Sequence, residues 1–358
     1  MNNKNILYLT RTMDVGGTEK VIIQLCKYFN KKFNKIIVCS CGGIYEAQLD
    51  ELGIKHYKIN DIEKKNPINM VKTLLTVVQI IKSENINIVH THHRMAAFYI
   101  SIIRKFMKFK FIHTEHNTFY DKKYLTKFAL KHAHIIAVGE KVKVNLIEIY
   151  KISDSKIKVI YNGVGEFLDK IQEVPEIKKA KELGYFTVGN IGRLNEQKGF
   201  EYYIDSIPKV LEKRNDIMFY IIGDGEEREK LEKIVSDKKI KNIIFLGYRN
   251  DVNNIIKQLD LIVLSSLWEG LPLIPIETFS AGKTIIATDV DGTSEIVKNE
   301  YNGLLIESRD SEDIASNIIK LYDDNTLKGN LERNAYKTYK DKFSLETFNK
   351  NYEKYYNL

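Results

Sequence analysis

Two carboxylates, Glu269 and Glu277, are separated by seven residues in a stretch that is broken by glycine and proline. We expect Pro275 to be the first residue of a helix and Gly282 to follow its last residue, because proline suits the first helical position and glycine the position after the end. This places Glu277 in the first helical turn and Glu269 in the preceding loop. Both carboxylates could accept hydrogen bonds from hydroxyl groups.

The backbone between these glutamates could bind an anion. After Gly270, the N–H groups of Leu271, Leu273 and Ile274 would lie near the positive end of the predicted helix, which favours phosphate. A phosphate site beside acceptors for hydroxyl groups predicts a sugar nucleotide as the ligand. The same pattern also fits an ordinary strand–loop–helix connection with solvated glutamates, so the surrounding elements have to decide.

The N-terminal half predicts a doubly wound α/β domain, in which ligands gather at the carboxyl ends of the strands. A buried strand at residues 5–10, a turn at Gly16 and Gly17 and an amphipathic helix form the opening unit. The two glycines would let a backbone approach a ligand closely. Further strands are predicted at residues 35–41, 54–59, 86–90, 109–114, 134–138 and 156–160, with helices near 67–82 and 95–107.

Histidines lie at the ends of two of these strands, in clusters that contain His90, His92 and His116, where such folds place ligand contacts. Several of them could instead be ordinary surface residues. His90 and His92 could share a strand face and bind a metal ion, but no acidic residue completes a His-x-His-x-x-Asp arrangement. Asp289 and Asp291 resemble a metal-binding pair, yet two carboxylates around one residue are common by chance. A metal site is therefore disfavoured.

The strand–glycine–helix pattern restarts in the C-terminal half and predicts a second domain of the same class. Residues 165–184 are charged and unpatterned, as in a linker, and a strand at 185–191 follows them. The next loop carries Gly192, Arg193 and Lys198. Two fixed cations there could neutralise a diphosphate without a divalent ion, although they could also be solvated loop charges.

The remaining C-terminal strands complete this second domain. A strand at 216–222 leads into Gly223, and one at 242–247 leads into Tyr248, where the backbone could meet a nucleotide base. Strands are also predicted at 259–264 and 302–306, and the tail from residue 311 onward is predicted to be helical.

The charge is unevenly distributed along the 358 residues, whose net charge is +8. Residues 1–175 hold 28 Lys and Arg against 16 Asp and Glu, whereas residues 176–358 hold 27 against 31. A basic half can attract nucleic acid, an acidic polymer or an anionic membrane. No nucleic-acid signature accompanies it, so a membrane surface or a lipid phosphate is favoured. The stretch 94–110 could be an interfacial membrane helix, but a core-packed crossover helix with a basic outer face is the better interpretation.

Compartment is predicted from what the sequence lacks. It has no run of about 18 uncharged apolar residues, and its N-terminus lacks the apolar core of a signal peptide, so we expect a cytoplasmic protein. Three cysteines form an odd set, which argues against a disulfide framework and favours free thiols.

The joint order of these motifs resembles glycosyltransferase family 4, also called glycosyltransferase group 1. These enzymes transfer sugars from nucleotide donors to lipid-linked or other acceptors. The resemblance spans nearly the whole chain, although this sequence has Leu271-Pro272 where many relatives have Phe-Gly or Phe-Pro. In chain order the motifs are Gly-Gly-Thr-Glu (16–19), Tyr-Asn-Gly-Val (161–164), Gly-Arg-Leu-x-x-x-Lys-Gly (192–199), Gly-Asp-Gly (223–225), Leu-Gly (246–247) and Glu-x7-Glu (269–277).

The resemblance implies an α/β protein of the retaining GT-B class, with two Rossmann-like domains facing each other across a cleft. Residues 1–170 would form the acceptor-side domain and residues 171–340 the domain that binds the nucleotide sugar. Residues 341–358 would form a helix that packs back on the N-terminal domain.

It also implies roles for individual residues. Arg193 and Lys198 would bind the donor diphosphate, and Glu277 would hold the ribose hydroxyls. Glu269 and the backbone of Gly270–Ile274 would face the donor sugar and its phosphates. The remaining expected site residues are His116, which would contact the sugar, Gly16 and Gly17, which would close over the diphosphate, and Gly192, Gly223 and Tyr248 in the donor domain.

The partners implied are a nucleotide-diphosphate sugar, most simply a UDP-sugar, and a glycan or polyprenyl-linked acceptor, with no metal cofactor and no nucleic acid. The enzyme would be peripheral at the inner face of the plasma membrane and would serve the assembly of capsule or another cell-surface polysaccharide. Two alternatives stay open: a non-hydrolysing UDP-sugar epimerase of the same fold, and a metallohydrolase built on the histidines.

Overall fold

The computed structural model describes residues 2–14, 16–64, 66–166, 170–290 and 292–357. The chain divides into two compact units, which we call unit 1 (Met1–Gly163 with Phe348–Leu358) and unit 2 (Val164–Thr347). Each unit is built on a parallel sheet with helices between the strands, so the predicted α/β class is confirmed.

The described part of unit 1 contains a seven-stranded sheet in the order β3-β2-β1-β4-β5-β6-β7. Every neighbouring pair of strands is parallel. The strand order reverses beside β1, and at such a switch point the carboxyl ends of the strands leave room for a ligand. The strands are β1 (Asn2–Leu9), β2 (Phe33–Ser40), β3 (Lys55–Lys58), β4 (Ile88–Thr91), β5 (Lys110–Glu115), β6 (His134–Ala137) and β7 (Ile157–Val159).

Amphipathic helices cover this sheet. The 94–110 stretch begins as a helix that buries Ala97, Ile100 and Ile103 against the strands, so the core-packed interpretation is confirmed. The helices of this part of unit 1 are α1 (Gly17–Phe29), α2 (Glu46–Glu51), α3 (Pro67–Ser83), α4 (Arg94–Ile103), α5 (Lys123–Leu130) and α6 (Glu140–Glu148).

Helix α3 shows how its sequence sets two faces. The side chain of Asn66 accepts a hydrogen bond from the backbone N–H of Asn69, and proline occupies the first helical position, so the helix starts there. Val77, Ile80 and Ile81 pack on the sheet, whereas an apolar stripe on the other face is exposed.

The described part of unit 2 repeats the architecture with six parallel strands in the order β10-β9-β8-β11-β12-β13. The strands are β8 (Phe186–Ile191), β9 (Ile217–Ile222), β10 (Ile243–Gly247), β11 (Leu261–Leu264), β12 (Ile285–Thr288) and β13 (Leu304–Ile306). The helices are α7 (Pro175–Glu182), α8 (Phe200–Leu211), α9 (Arg228–Asp237), α10 (Val252–Gln258), α11 (Leu273–Ser280), α12 (Thr293–Ile296), α13 (Ser311–Asp323) and α14 (Asn325–Thr338).

One expectation for unit 2 was wrong, and one strand was missed. The segment 165–184, expected to be a linker, contains α7: Pro175 starts it, and Ile177 and Ala180 pack inward. Two apolar positions are too few to make a periodic pattern in a charged sequence. Strand β12, whose four residues are all buried, was not predicted at all.

The start of α11 also differs from the expectation. The helix begins at Leu273, directly after Pro272, so Pro275 is its third residue and not its first. Proline is tolerated there because the first N–H groups of a helix have no partner within it. Glu277 therefore lies in the second turn. Gly282, with φ of +72°, follows the helix end as predicted.

A last helix, α15 (Leu345–Tyr356), returns the chain to unit 1. Phe348, Tyr352 and Tyr356 are buried in that unit. The hydroxyl of Tyr356 lies 2.7 Å from Nδ1 of His90 and 3.2 Å from the hydroxyl of Tyr8. The helix is thus attached to the sheet by polar contacts as well as by apolar packing.

Candidate active site

The loops that follow β8, β9 and β10 meet through their backbones. The N–H of Gly192 donates to the carbonyl of Ile222 (3.0 Å), and the N–H of Gly223 donates to the carbonyl of Gly247 (2.9 Å). Gly223 has φ of +143°, and a Cβ atom there would overlap the carbonyl oxygen of Gly192. Only glycine fits this contact, which brings two of the predicted site residues together at the carboxyl edge of the sheet.

Lys198 is anchored at the same edge by its own backbone. Its carbonyl accepts a hydrogen bond from Oγ of Ser265 (3.0 Å), which in turn accepts one from Nδ2 of Asn190 (2.8 Å). Gly199 follows with φ of +57°, and a Cβ there would overlap the carbonyl oxygen of Ser265. Asn190 is in β8 and Ser265 follows β11, so the lysine is fixed to two neighbouring strands.

The side chain of Lys198 forms an ion pair with Glu269. Its Nζ lies 2.5 Å from Oε1 of Glu269, and the same oxygen accepts a hydrogen bond from Oγ of Ser266 at 2.6 Å. The Lys198 side chain is 18% exposed and that of Glu269 7%. Thr288, at the end of β12, donates to the carbonyl of Ser266 at 2.5 Å. The structure thus joins two residues for which the sequence predicted separate contacts.

This pair is partly buried, so its two charges depend on each other. Removing one partner of such a pair leaves an uncompensated charge away from water, which is costly. The cation and the carboxylate are therefore held ready at the strand ends, and Ser266 keeps one hydrogen bond on Glu269 whatever the lysine contacts.

Arg193 stands apart from that pair. Its side chain is 71% exposed and lies 3.2 Å from a carboxylate oxygen of Glu226, in the loop after β9. A backbone hydrogen bond, with Arg193 as a further cause, lowers the pKa of Glu226. The guanidinium is therefore accessible and bound to a surface carboxylate.

The N-terminus of α11 presents backbone N–H groups as predicted. No side chain caps the helix after Pro272, and Leu273 and Ile274 are its first residues. The preceding loop is held closely, because a Cβ atom on Gly292 would overlap the carbonyl oxygen of Gly270. Helix starts of this kind favour anions.

Two further residues of unit 2 that were predicted to bind the sugar donor differ in exposure. Glu277 is half-buried in the second turn of α11, and Tyr248 is exposed after β10. Arg249, next to Tyr248, is committed to a bidentate contact with Asp251 at 2.8 Å.

In unit 1, Gly16 directly precedes α1 and Gly17 is its first residue. A Cβ on Gly16 would overlap the carboxylate of Glu19, whereas a Cβ on Gly17 would meet open space. The Glu19 carboxylate accepts a hydrogen bond from Thr12 at 3.1 Å, and burial raises its pKa. Gly16 therefore lies close against the Glu19 carboxylate, while Gly17 faces open space.

His116 lies at the end of β5 beside His92 at the end of β4. Nδ1 of His92 is 3.0 Å from Nε2 of His116, and the two rings stack. Burial lowers the pKa of His116 to about 3 and that of His92 well below its usual value. Both imidazoles are therefore neutral at pH 7.

The neighbouring His90 belongs to a buried polar network. Its Nε2 lies 2.8 Å from the hydroxyl of Thr114, its Nδ1 contacts Tyr356, and burial lowers its pKa well below the usual value. The prediction that histidines gather at these strand ends is confirmed; His90 and His92 are interior groups, whereas His116 is half-buried.

No cluster of three or more potential metal ligands (His, Cys, Asp or Glu) occurs among the residues that the structure describes. Asp289 is described, but its sequence partner Asp291 lies outside the described residues. The predicted free thiols are confirmed for all three cysteines, Cys26, Cys39 and Cys41.

Sequence reasoning missed Ser266, Thr288 and Glu226. Ser266 could have been found from its position: a hydroxyl residue two positions after a buried strand and three residues before a candidate carboxylate. Thr288 depended on recognising β12. Glu226 carried no signal beyond its place in a glycine-rich turn.

Two family descriptions match the chain in sequence. Residues 172–338 match "Glycosyl transferases group 1", and residues 15–165 match "Glycosyltransferase Family 4". Among curated proteins, the Escherichia coli UDP-Gal:alpha-D-GlcNAc-diphosphoundecaprenol alpha-1,3-galactosyltransferase is 29% identical over 339 residues, which cover 87% of this chain and 86% of the relative.

Solved structures share the fold over nearly the full length. A glycosyltransferase from Rickettsia africae ESF-5 superposes with a TM-score of 0.89 at 25% identity, covering 99% of this chain and 98% of the other. Alr3699/HepE from Anabaena, in complex with UDP, superposes with a TM-score of 0.85 at 20% identity, covering 99% of both chains. The predicted GT-B class is confirmed by this likeness.

Proposed function

Because the chain belongs to glycosyltransferase group 1, with a family 4 N-terminal region, we propose that it transfers a hexose from a UDP-sugar to a lipid-linked or other glycan acceptor with retention of configuration. The product would enter a cell-surface polysaccharide.

The Lys198–Glu269 pair is the main structural support for transfer from a nucleotide-diphosphate sugar. A lysine whose backbone is fixed at two strand ends and whose side chain is only partly buried suits a diphosphate leaving group. The uncapped start of α11 and the exposed Arg193 are further groups of unit 2 that suit an anion. Negative charge on that group grows as its bond to the sugar breaks, so cations there bind the transition state more tightly than the ground state.

UDP is the preferred nucleotide because of two relatives. The E. coli relative is named for UDP-Gal, and HepE was solved with UDP. Retention is supported by the α-1,3 linkage in the E. coli relative's name, since the sugar of UDP-galactose is itself α-linked to the diphosphate.

The proposed reaction is a front-face displacement. The bond from the anomeric carbon to the diphosphate oxygen breaks, and the acceptor oxygen bonds to the same face of that carbon. The acceptor proton passes to the departing phosphate, so the enzyme needs no separate base. Lys198 and Arg193 would stabilise the leaving diphosphate.

Ligand-dependent thermal unfolding tests the donor. A ligand that binds only the native state stabilises it by about 2.7 kcal/mol at a hundred times its Kd. We expect UDP and one UDP-sugar to raise the unfolding temperature, GDP not to, and Lys198→Ala to reduce the shift. Lys209→Ala is the matched control, because Lys209 pairs with Glu312 elsewhere in unit 2. A response to GDP alone would reject a uridine donor.

Product analysis tests the reaction itself. With the stabilising UDP-sugar and a polyprenyl-diphosphate-linked N-acetylhexosamine as the acceptor, the anomeric proton coupling of the first product should show an α linkage. A β linkage would reject retention. Conversion of the UDP-sugar to its epimer without acceptor would favour the epimerase alternative.

Metal independence is part of the proposal, because two fixed cations can neutralise the diphosphate. Transfer should persist in excess EDTA. Loss of activity that Mn²⁺ or Mg²⁺ restores would reject it.

We also propose that unit 1 docks on an anionic membrane. None of the helices in the described residues is long and apolar enough to cross one. Ile68, Val71 and Leu75 form the exposed stripe on α3 described above, at spacings of three and four residues, and Lys72 is exposed between them. Exposed aromatic residues Tyr120 and Tyr124 flank further exposed lysines. The exposed lysines within 94–131 are Lys105, Lys108, Lys122, Lys123, Lys127 and Lys131.

Exposed apolar, aromatic and basic side chains together suit an anionic membrane, in which negatively charged head groups cover an apolar interior. Each lysine near such a membrane contributes about 1 kcal/mol, and salt screens the attraction within a Debye length. We expect sedimentation with phosphatidylglycerol vesicles at low salt, release at high salt, and no binding to phosphatidylcholine vesicles.

The double variant Ile68→Ser/Leu75→Ser should bind anionic vesicles more weakly. Leu183→Ser is its matched control, since Leu183 in unit 2 is 66% exposed and Leu75 is 64% exposed. Equal binding by both variants would remove α3 from the docking surface, and absence of binding at low salt would reject docking.

A further inference from the structure

His92 and His116 form a hydrogen-bonded pair of imidazoles. Nδ1 of His92 lies 3.0 Å from Nε2 of His116, and the ring centroids are 5.3 Å apart. The rings meet because β4 and β5 are neighbouring strands that end together. His92 is 4% exposed, whereas His116 is only half-buried. The interior ring therefore holds the ring that is nearer to the surface.

His92 also packs against two other rings. Its ring centroid lies 4.2 Å from that of His90 and 5.9 Å from that of Tyr8. His90 cannot turn freely, since Thr114 and Tyr356 bind its two nitrogens. The orientation of His92 is thus fixed by packing and not by its bond to His116 alone.

Two neutral imidazoles in contact must divide their roles. Each neutral ring has one N–H and one bare nitrogen, so one ring donates to the other. If Nδ1 of His92 donates, Nε2 of His116 is the acceptor and the hydrogen of His116 is on Nδ1. If Nε2 of His116 donates, the hydrogen of His92 is on its Nε2. The direction of this single bond fixes both tautomers.

The surroundings of Nε2 of His92 favour one direction for the hydrogen bond between the two histidines. Its Nε2 is buried and has no hydrogen-bonding partner among the protein groups that the structure describes. Donation from His116 would place an N–H on that atom, whereas donation from His92 leaves it a bare acceptor. Buried N–H groups without a partner are rarer in proteins than under-satisfied acceptors. The bond therefore runs from His92 to His116.

We propose that His92 is a positioning residue that holds His116 as the tautomer with its hydrogen on Nδ1. Because His92 occupies Nε2, Nδ1 is the nitrogen left for a ligand, and it presents an N–H. His116 then donates a hydrogen bond to a ligand oxygen and does not take a proton from it. The catalytic part rests on the proposed function and on the role that the family resemblance implies for His116, contact with the donor sugar. It agrees with a reaction that needs no enzymic base.

Nuclear magnetic resonance of the unliganded enzyme tests the tautomer without any assay of transfer. With ¹⁵N-labelled histidine at pH 7.5, long-range ¹H–¹⁵N correlations distinguish the two tautomers and the charged form. His92→Asn and His116→Asn assign the signals. We expect both rings to carry hydrogen on Nδ1. Hydrogen on Nε2 of His116, or a charged ring, would overturn the proposal.

Kinetics test the positioning role. His92→Phe keeps a ring but loses the donor, whereas the amide of His92→Asn can still donate near the position of Nδ1. A buried partner that fixes the tautomer of a catalytic histidine can be worth up to ~10⁴-fold. We expect kcat/KM for the donor to fall about 10-fold or more in His92→Phe and to recover in His92→Asn, with the tautomer of His116 following in each.

His56→Asn is the matched control, because His56 is a buried histidine of unit 1 that is bonded to Ser40 at 2.8 Å and not to the pair. It should transfer sugar as the wild type does. Full activity in His92→Phe beside an impaired His116→Phe would overturn the positioning role. Full activity in His116→Phe would overturn the catalytic part, while absence of transfer by the wild type would reject the proposed function and leave the tautomer measurement intact.

Discussion

The two units use one architecture to hold opposite kinds of polar chemistry at their strand ends. All eight histidines of the chain lie in the first 163 residues, and three of them, His90, His92 and His116, are held neutral by burial. Unit 2 has no histidine and instead holds the charged pair Lys198–Glu269. A parallel sheet therefore dictates where ligand groups collect but not whether they are charged.

Acid should destabilise unit 1 more than unit 2, and this is the largest effect that we expect. Below about pH 6.5, the pKa of histidine in the unfolded chain, the unfolded chain binds protons that His90, His92 and His116 do not bind in the folded protein. The free energy of unfolding therefore decreases as pH falls from 6.5 towards the lowered pKa values of these histidines. The loss approaches about 1.4 kcal/mol per pH unit for each histidine that stays neutral in the folded protein below pH 6.5.

Hydrogen exchange measured by peptide would show this difference. Peptides from β4 and β5 should lose protection in that range before those from β8 and β11. Fluorescence of Trp268, the single tryptophan and a residue of unit 2, gives an independent signal for that unit. Earlier loss in unit 2 would contradict the comparison.

Removing a cationic side chain from the candidate site of unit 2 should have the second-largest effect, a loss of sugar transfer. Lys198→Ala and Arg193→Ala should each lower activity roughly 10²-fold or more, the usual effect of losing one pre-organised group that stabilises charge. Only Lys198→Ala should also lower the unfolding temperature, because Glu269 is left without its counter-charge. The double variant Lys198→Ala/Glu269→Gln should regain stability and not activity. Activity within a few-fold of wild type would reject the diphosphate assignment.

Ser266→Ala should have a smaller effect. A hydrogen bond to a charged group is worth about 1.5–3 kcal/mol, so we expect roughly a 10-fold or greater loss of kcat/KM, with rescue by Ser266→Thr. Ser206→Ala is the control, since Ser206 is equally buried in unit 2 but donates to the carbonyl of Tyr203. Equal losses in both variants would mean that the effect of Ser266 is on stability alone.

The smallest expected effect is a gain in affinity for UDP. Glu226→Gln removes the carboxylate that competes with a diphosphate for Arg193. Because the pair is exposed, we expect only about two- to four-fold tighter binding of UDP by titration calorimetry. Weaker binding would show that Glu226 supports the site instead of competing for it.

The sequence predicted the strands and the site loops where local patterns were long. Glu269, Lys198 and the strand-end histidines were all identified from residue type and position. Their contacts were not, since Lys198 and Glu269 are 71 residues apart and meet only because β8 pairs with β11. The network around His90 uses Tyr356, which is 266 residues away. No local spacing carries that information.

The errors have a common physical cause. Pro272 and Pro275 both suit a helix start, so propensity alone could not choose between them. Helix α7 is too short for periodicity to show. In each case tertiary packing decided what the local sequence left open.

The return of the chain to unit 1 has a consequence for biosynthesis. The chain leaves that unit after Gly163 and re-enters it at Phe348, and inside unit 2 the two crossings are joined by hydrogen bonds between Val164 and Leu345 and between Val164 and Phe343. On the ribosome, unit 1 must therefore wait for every residue of unit 2 before Tyr352 and Tyr356 can cover His90. The first unit to be translated is the last that can be completed, and until then His90 and Tyr8 lack the hydroxyl group of Tyr356.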